Sequence, residues 1–160
     1  MADVILSHEQ MVPMYQAELH LDAAVAEGED YMVFTKVPSM KDPFVAGQKV
    51  RLPEFPHHYA GENYISLTAQ SGSIVLHRMG LIDENWRGHG TRIRHAVYRA
   101  TVLLGETLYV RAHILKHRML WNRLFVTCAF EMWKLESDGS KVVCYESEQE
   151  AVFFRAGDEG

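Results

Sequence analysis

Apolar and polar positions follow two periods along this chain. From Gly61 to Met79 the spacing is helical: Ile65, Ala69, Gly72, Leu76 and Met79 follow one another at steps of four, three, four and three, which places them on one helix face. Ala69 and Gly72 at the centre of that face leave room for a sheet to approach the helix axis. A glycine inside a helix costs about 1 kcal/mol relative to alanine, a cost that close packing would offset. Beyond a polar turn at Asp83 to Gly90 the period becomes two. Thr91 to Val102 alternates, and Leu103-Leu104-Gly105-Glu106 makes a tight connection. Thr107 to Lys116 sets Leu108, Val110, Ala112 and Ile114 opposite Tyr109, Arg111 and His113. Leu124 to Leu135 reads as a third strand, Ser137-Asp138-Gly139-Ser140 as a hairpin turn, and Lys141 to Phe154 as a fourth strand. In that last strand Val143, Tyr145, Ala151 and Phe153 alternate with Glu146, Glu148 and Glu150, an acidic face expected in solvent.

Upstream of the helix, Ser7-His8-Glu9-Gln10 has the capping-box pattern, and the helix formers from about Pro13 to Glu27, closed by Gly28, predict an N-terminal helix. Tyr31 to Val37 is a β-branched and aromatic strand that Pro38 ends. Between Pro38 and Pro56 lie four of the five prolines, so this stretch is expected as loop with at most a short extended piece at Gln48 to Leu52. The predicted layout is one α+β domain over 1–160. It comprises a helical extension (1–30), a proline-rich loop (38–57), a central helix (61–79) and the main antiparallel strands (91–154), the sheet wrapping around the helix.

Composition narrows the chemistry. A chain of 160 residues, 48% hydrophobic and 23% charged, is sized for one substantial core. Its net charge of -5 and dispersed arginines argue against a nucleic-acid partner. The longest apolar runs, such as Ile74-Val75-Leu76, fall far short of the roughly 20 residues that span a bilayer, so no membrane partner is expected. The first residues lack a signal-peptide pattern, which makes the cytoplasm the expected location. Cys128 and Cys144 stand apart without CxxC spacing and read as buried free thiols. Nine histidines include no His-Glu-x-x-His or Cys/His cluster at zinc spacing, so neither a metal nor a cofactor is expected.

The run Tyr98-Arg99-Ala100-Thr101-Val102-Leu103-Leu104-Gly105-Glu106-Thr107-Leu108-Tyr109-Val110 resembles the strand, Gly-Asp-Thr-Leu turn and following strand of the hotdog superfamily, with Glu106 where Asp is usual. Within that superfamily it is similar to the MaoC-like branch. Trp86 to Arg94 and Glu136 to Ser140 are similar to that branch's flanking segments, and Ile65 to Gly72 resembles the helix of FabZ-type dehydratases. The resemblance implies a hotdog fold, a homodimer or higher even oligomer, and a coenzyme A or acyl-carrier-protein thioester as substrate. It implies a hydratase or dehydratase first. A thioesterase is the alternative, and a non-catalytic hotdog subunit that supports a catalytic partner is another. The family's Gly-Asp-x-Asn-Pro-x-His segment is not intact. Gly61-Glu62-Asn63 matches it in part. Leu19-His20-Leu21-Asp22 resembles its Ile-His-x-Asp fragment but has Tyr15 at the catalytic Asp position, and the FabZ comparison puts Ser66 at the carboxylate position.

Thioester chemistry needs donors for the carbonyl oxygen and a group that moves a proton. The first-turn amides of Gly61 to Tyr64 would supply donors at a helix N-terminus. His58 and Glu62, four apart if the segment is helical, would form an acid-base pair beside His57, with Asn63 orienting a carbonyl or water. The expected catalytic residues are therefore His58, Glu62, Asn63 and His57. The expected substrate-binding residues are Gly61, Tyr64, Ser66, Arg92 and Arg94, the two arginines for phosphate. Solvent-facing histidines, a dipole-complementing Glu62 and arginines in cross-strand ion pairs are the structural alternative. His20-Asp22 as a surface pair and His89 as a turn residue are read the same way.

Overall fold

In the computed structural model, which describes residues 3–50 and 52–158, the chain runs β1 (Leu6–Ser7), α1 (His8–Met11), β2 (Ala23–Glu27), β3 (Tyr31–Lys36), α2 (Gly61–Arg78), β4 (Trp86–Tyr98), β5 (Leu108–Leu120), β6 (Arg123–Leu135) and β7 (Lys141–Arg155). All seven strands join one antiparallel sheet in the order β1-β2-β3-β5-β6-β7-β4. The expected α+β architecture, a sheet curved over one long helix, is present. No helix among the described residues is long and apolar enough to cross a membrane.

The sheet's inner face is where the alternation pointed. Leu108, Val110, Ala112 and Ile114 of β5, Cys128, Phe130 and Met132 of β6 and Tyr145 of β7 are buried in one core with Tyr64, Leu67, Ile74, Val75 and Leu76 of α2. Full burial of a Leu or Ile side chain stabilises the fold by roughly 1.5–3 kcal/mol. The stripe expected to face the sheet is rotated from its assigned place: Ala69 is exposed, Ile65 and Met79 are half-buried, and Gly72 and Leu76 border a cavity. A Cβ at Gly72 would lie 3.4 Å from Phe130 Cζ, in van der Waals contact.

Two expectations are corrected. The capping box forms, Ser7 Oγ accepting from Gln10 N and Gln10 Oε1 from Ser7 N, but the helix it opens is only His8–Met11, followed by a 3-10 turn at Val12–Met14. The rest of the expected helix is extended and enters β2. Leu19 and Leu21 are buried while His20 and Asp22 are more exposed, and Asp22 N donates to Thr35 O (2.8 Å) where β2 begins its pairing with β3 at Ala23. The proline-rich stretch, where at most a short extended piece was expected, has no strand at residues 48–50. There the Gln48 side chain stands in for one, its Oε1 accepting from His58 N (3.0 Å) and its Nε2 donating to His58 O (2.8 Å); residue 51 lies outside the described part. The polar turn after α2 is short, so Gly88, His89 and Gly90 belong to β4. In the sheet, β4 pairs with β7. The connection to β5 still turns at Gly105 (φ +84°), where Glu106 accepts from Leu103 N (2.7 Å) and binds Lys134 (3.0 Å), so the longer carboxylate closes the turn and anchors it to β6.

Candidate functional site

A cavity of about 130 Å³ lies between the middle of α2, the first half of β4 and strands β6 and β7. Its walls are mostly apolar: Ala69, Gly72, Leu76, Trp86, Phe130, Ala151 and Phe153. Tyr15 and Gln16 close one side, because Ser73 Oγ donates to Met14 O (3.2 Å) and holds the N-terminal segment against α2. Burial pushes the Tyr15 phenol above its ordinary range, so it is a neutral donor. Burial likewise pushes the Cys128 thiol in the wall to about 12, which removes it as a nucleophile.

The cavity has a polar corner. Thr68 Oγ1 donates to Ile65 O at 2.6 Å, which uses its only hydrogen. Gln149 Nε2 donates to Thr68 Oγ1 (3.0 Å) and Ser147 Oγ (3.1 Å), which uses both of its own. Gln149 Oε1 then remains an acceptor 3.2 Å from Thr68 Oγ1 with no hydrogen directed at it from there. A water or a substrate hydroxyl satisfies such an atom. His89 also lines the cavity, and no carboxylate does.

The residues singled out in the sequence gather elsewhere, at the start of α2. His58, Gly61 and Tyr64 line a shallow hollow with Tyr59, Tyr98, Arg99, Ala100 and Thr101, and it shares no lining residue with the cavity. His58 and Glu62 are both exposed and no hydrogen bond joins them; His58 Nδ1 sits 3.3 Å from Pro56 O. The loop before α2, fastened by Gln48, keeps His58 off the helix, so four-residue helical spacing does not apply. His57 is half-buried and lines neither space. Asn63 is buried and donates to Pro43 O (2.7 Å), so it ties the proline-rich loop to the start of α2. Ser66 Oγ accepts from Gln70 Nε2 (3.0 Å). Tyr64 is buried among Tyr59, Tyr98 and Tyr145, and burial raises its phenol. Tyr98 Oη donates to Gly61 O (3.1 Å), while Ala60, at the N-cap, gives the first-turn amides no side-chain acceptor.

The arginines and the second His/Asp pair have structural work. Arg94 pairs with Glu150 (2.6 Å) and Arg99 with Glu146, so the acidic face of β7 is partly neutralised across strands. Arg92 stands exposed opposite Glu150, and Arg111 lies 4.6 Å from the Tyr31 ring centroid. His20 N donates to Gln70 Oε1 (2.8 Å), and Asp22 Oδ2 accepts from Val37 N (2.6 Å).

Thr68 and Gln149 were not singled out in the sequence, and Tyr15 was noted there only as standing at the resembled family's catalytic Asp position. The available signal was β7 itself: Tyr145, Ser147, Gln149 and Ala151 share the inward face, and two successive polar residues there mark a wetted spot in an apolar wall.

No family model and no curated protein matches the chain. Solved structures do. A thioesterase family protein from Silicibacter pomeroyi superposes with a TM-score of 0.55 at 10% identity, covering 83% of this chain and 84% of that one. A hot-dog-like protein from Thermanaerovibrio acidaminovorans gives 0.55 at 17% identity, covering 79% and 82%. The Smu.793 protein of Streptococcus mutans, solved bound to acetyl CoA, gives 0.59 at 10% identity, covering 88% and 94%.

Proposed function

From the hotdog fold, we propose that this chain acts on acyl thioesters of coenzyme A or an acyl-carrier protein, and that the reaction is hydrolysis. The observation that carries the reading is the largely apolar cavity along α2 with a polar corner at Thr68 and Gln149. The acyl group occupies the apolar walls. Gln149 Oε1 accepts a hydrogen from water and so aims the oxygen lone pair, while the Tyr15 phenol donates to the thioester oxygen. Water adds to the carbonyl carbon, the C–S bond breaks as one of the water's protons passes to the departing sulfur, and acid and free thiol leave. The thioesterase structures that share the fold, and the neighbour solved with acetyl CoA, support this class of substrate. Hydration of an enoyl thioester needs a carboxylate or imidazole on the acyl carbons. The cavity wall offers His89 alone, so this reading takes second place.

The functional unit on this reading is a dimer. Every residue of β4 after Trp86 is exposed on both faces, including Ile93, Val97 and Tyr98, and its outer edge is unpaired within the chain. A second copy joined through β4 would cover it.

The absence of a carboxylate from the lining favours one further reading, a binding subunit without turnover of its own. The test follows free thiol and enoyl absorbance together with saturated, 2-enoyl and 3-hydroxyacyl coenzyme A thioesters. Thiol release that Tyr15→Phe lowers about a hundredfold and Gln149→Leu about tenfold supports hydrolysis. Enoyl absorbance change without thiol release makes the chain a hydratase, and silence in both channels makes it the binding subunit.

A further inference from the structure

The turn between β5 and β6 is made of residues that the fold does not favour. Trp121 and Asn122 form a two-residue loop with φ of +48° and +59°, a geometry that suits Asn-Gly and strains a bulky side chain. Trp121 is 85% exposed, whereas Trp86 is buried and Trp133 stacks on Tyr109. Met119 and Phe125 near it are exposed as well.

Charge sets this corner apart. From Thr107 to Phe130 the chain has no acidic residue over 24 positions, although acids outnumber bases 21 to 16 in the whole sequence. Arg111, Lys116, Arg118 and Arg123 lie in that stretch. Pairing of β5 with β3 ends at His113 and a bulge follows between Ile114 and Lys116, so Lys116 to Leu120 pair only with β6. Basic residues guard such free edges against aggregation, which accounts for Lys116 and Arg118. It does not account for a strained, bare tryptophan with apolar neighbours.

We propose that this hairpin tip docks on an anionic lipid surface, a partner that the composition had argued against. In the cross-strand register Arg118 is opposite Phe125 and Met119 is opposite the buried Leu124, so the exposed Phe125 and Met119 lie on opposite faces, with Trp121 at the tip between them. A folded protein would be met by one face. A lipid interface yields around all three, takes tryptophan at headgroup depth and attracts the basic side chains behind it. Among the described residues that line the hollow beside Met119 and Asn122, the acid is Asp158, next to Arg155. Acidic residues farther than about 10 Å are screened at ordinary salt, so the net charge of -5 does not oppose local docking. The proposal is independent of the chemistry in the cavity.

The full chain is mixed with vesicles of phosphatidylcholine alone or of equal phosphatidylcholine and phosphatidylglycerol, at low and at molar salt, and followed by co-sedimentation and tryptophan emission. Binding to the mixed vesicles only, with a blue shift and release at high salt, is expected. Lys116→Glu with Arg118→Glu should weaken it by at least about twentyfold, at roughly fivefold per basic charge lost. Trp121→Asn with Asn122→Gly installs the favoured turn, so loss of binding in that variant is not loss of fold. No binding, equal binding to both vesicles, or binding that ignores these substitutions overturns the proposal. Capture on immobilised polyglutamate without vesicle binding reassigns the patch to an acidic protein and overturns it equally.

Discussion

At Gly88 the chain has no room for a side chain: a Cβ there would stand 2.3 Å from Cδ1 and Cε1 of Phe153 across the β4–β7 pair. Gly88→Ala should therefore lower stability by about 1–3 kcal/mol in thermal unfolding, and Phe153→Leu in the same chain should recover part of it. If the single variant melts with the wild type, the ring is not a fixed wall of the cavity. Burial also fixes a pH response. The unfolded chain releases the Cys128 proton near its ordinary value of 9.0, whereas the folded chain holds it to about 12. The Tyr59 and Tyr64 phenols are raised in the same direction by burial. Above about pH 9 the unfolded state thus binds fewer protons, and stability should fall from there toward pH 12. Denaturant titrations across that range check it, and Cys128→Ala should flatten the first part of the fall. Single residues were the least legible feature in the sequence. His58 and Glu62 looked paired because helical spacing was extended into a loop, and Asn63 looked catalytic because its loop partner Pro43 is distant in sequence. Gln149 was hidden among the glutamates of β7, since a strand's inward polar residue is identified only once register is known.

Elements were more legible, and their failures have one cause. The central helix was expected at 61–79 and runs Gly61–Arg78, because an 18-residue helix offers several turns of periodic signal. The N-terminal segment reads as helix by composition and folds as strand. The carbonyls and amides of β3 are within reach of it, and the short alternation Leu19-His20-Leu21-Asp22 fits that edge. Pairing of β4 with β7 likewise depends on partners 47 to 69 residues away, counted from Tyr98 to Tyr145 and from Trp86 to Arg155. Local pattern carries no record of such distances. The start of α2 gives a prediction at this scale. Ala60 has extended N-cap geometry but no oxygen to offer, so Ala60→Ser should add about 1 kcal/mol, seen as a raised denaturation midpoint. If instead it leaves stability unchanged, the first-turn amides already have acceptors in solution.

For the whole molecule, the proposed dimer through the bare β4 edge sets the expected state of assembly. Sedimentation velocity should show a dimer at micromolar concentration, and Ile93→Asp with Val97→Asp should shift it toward monomer without loss of secondary structure. A wild-type monomer would remove β4 as the contact. The sheet order also predicts the route by which the chain folds. Successive hairpins join β5, β6 and β7, so these strands form from local contacts, while β3 and β4 must be recruited from far upstream on either side of α2. Closing long loops is slow. The three-stranded meander is then the early nucleus and β4 a late arrival. The strand that completes the monomer is the same one that would recognise a second copy, so the last step of folding and the first of assembly compete for one ribbon of chain. Refolding yield should therefore depend on protein concentration even where the native state does not.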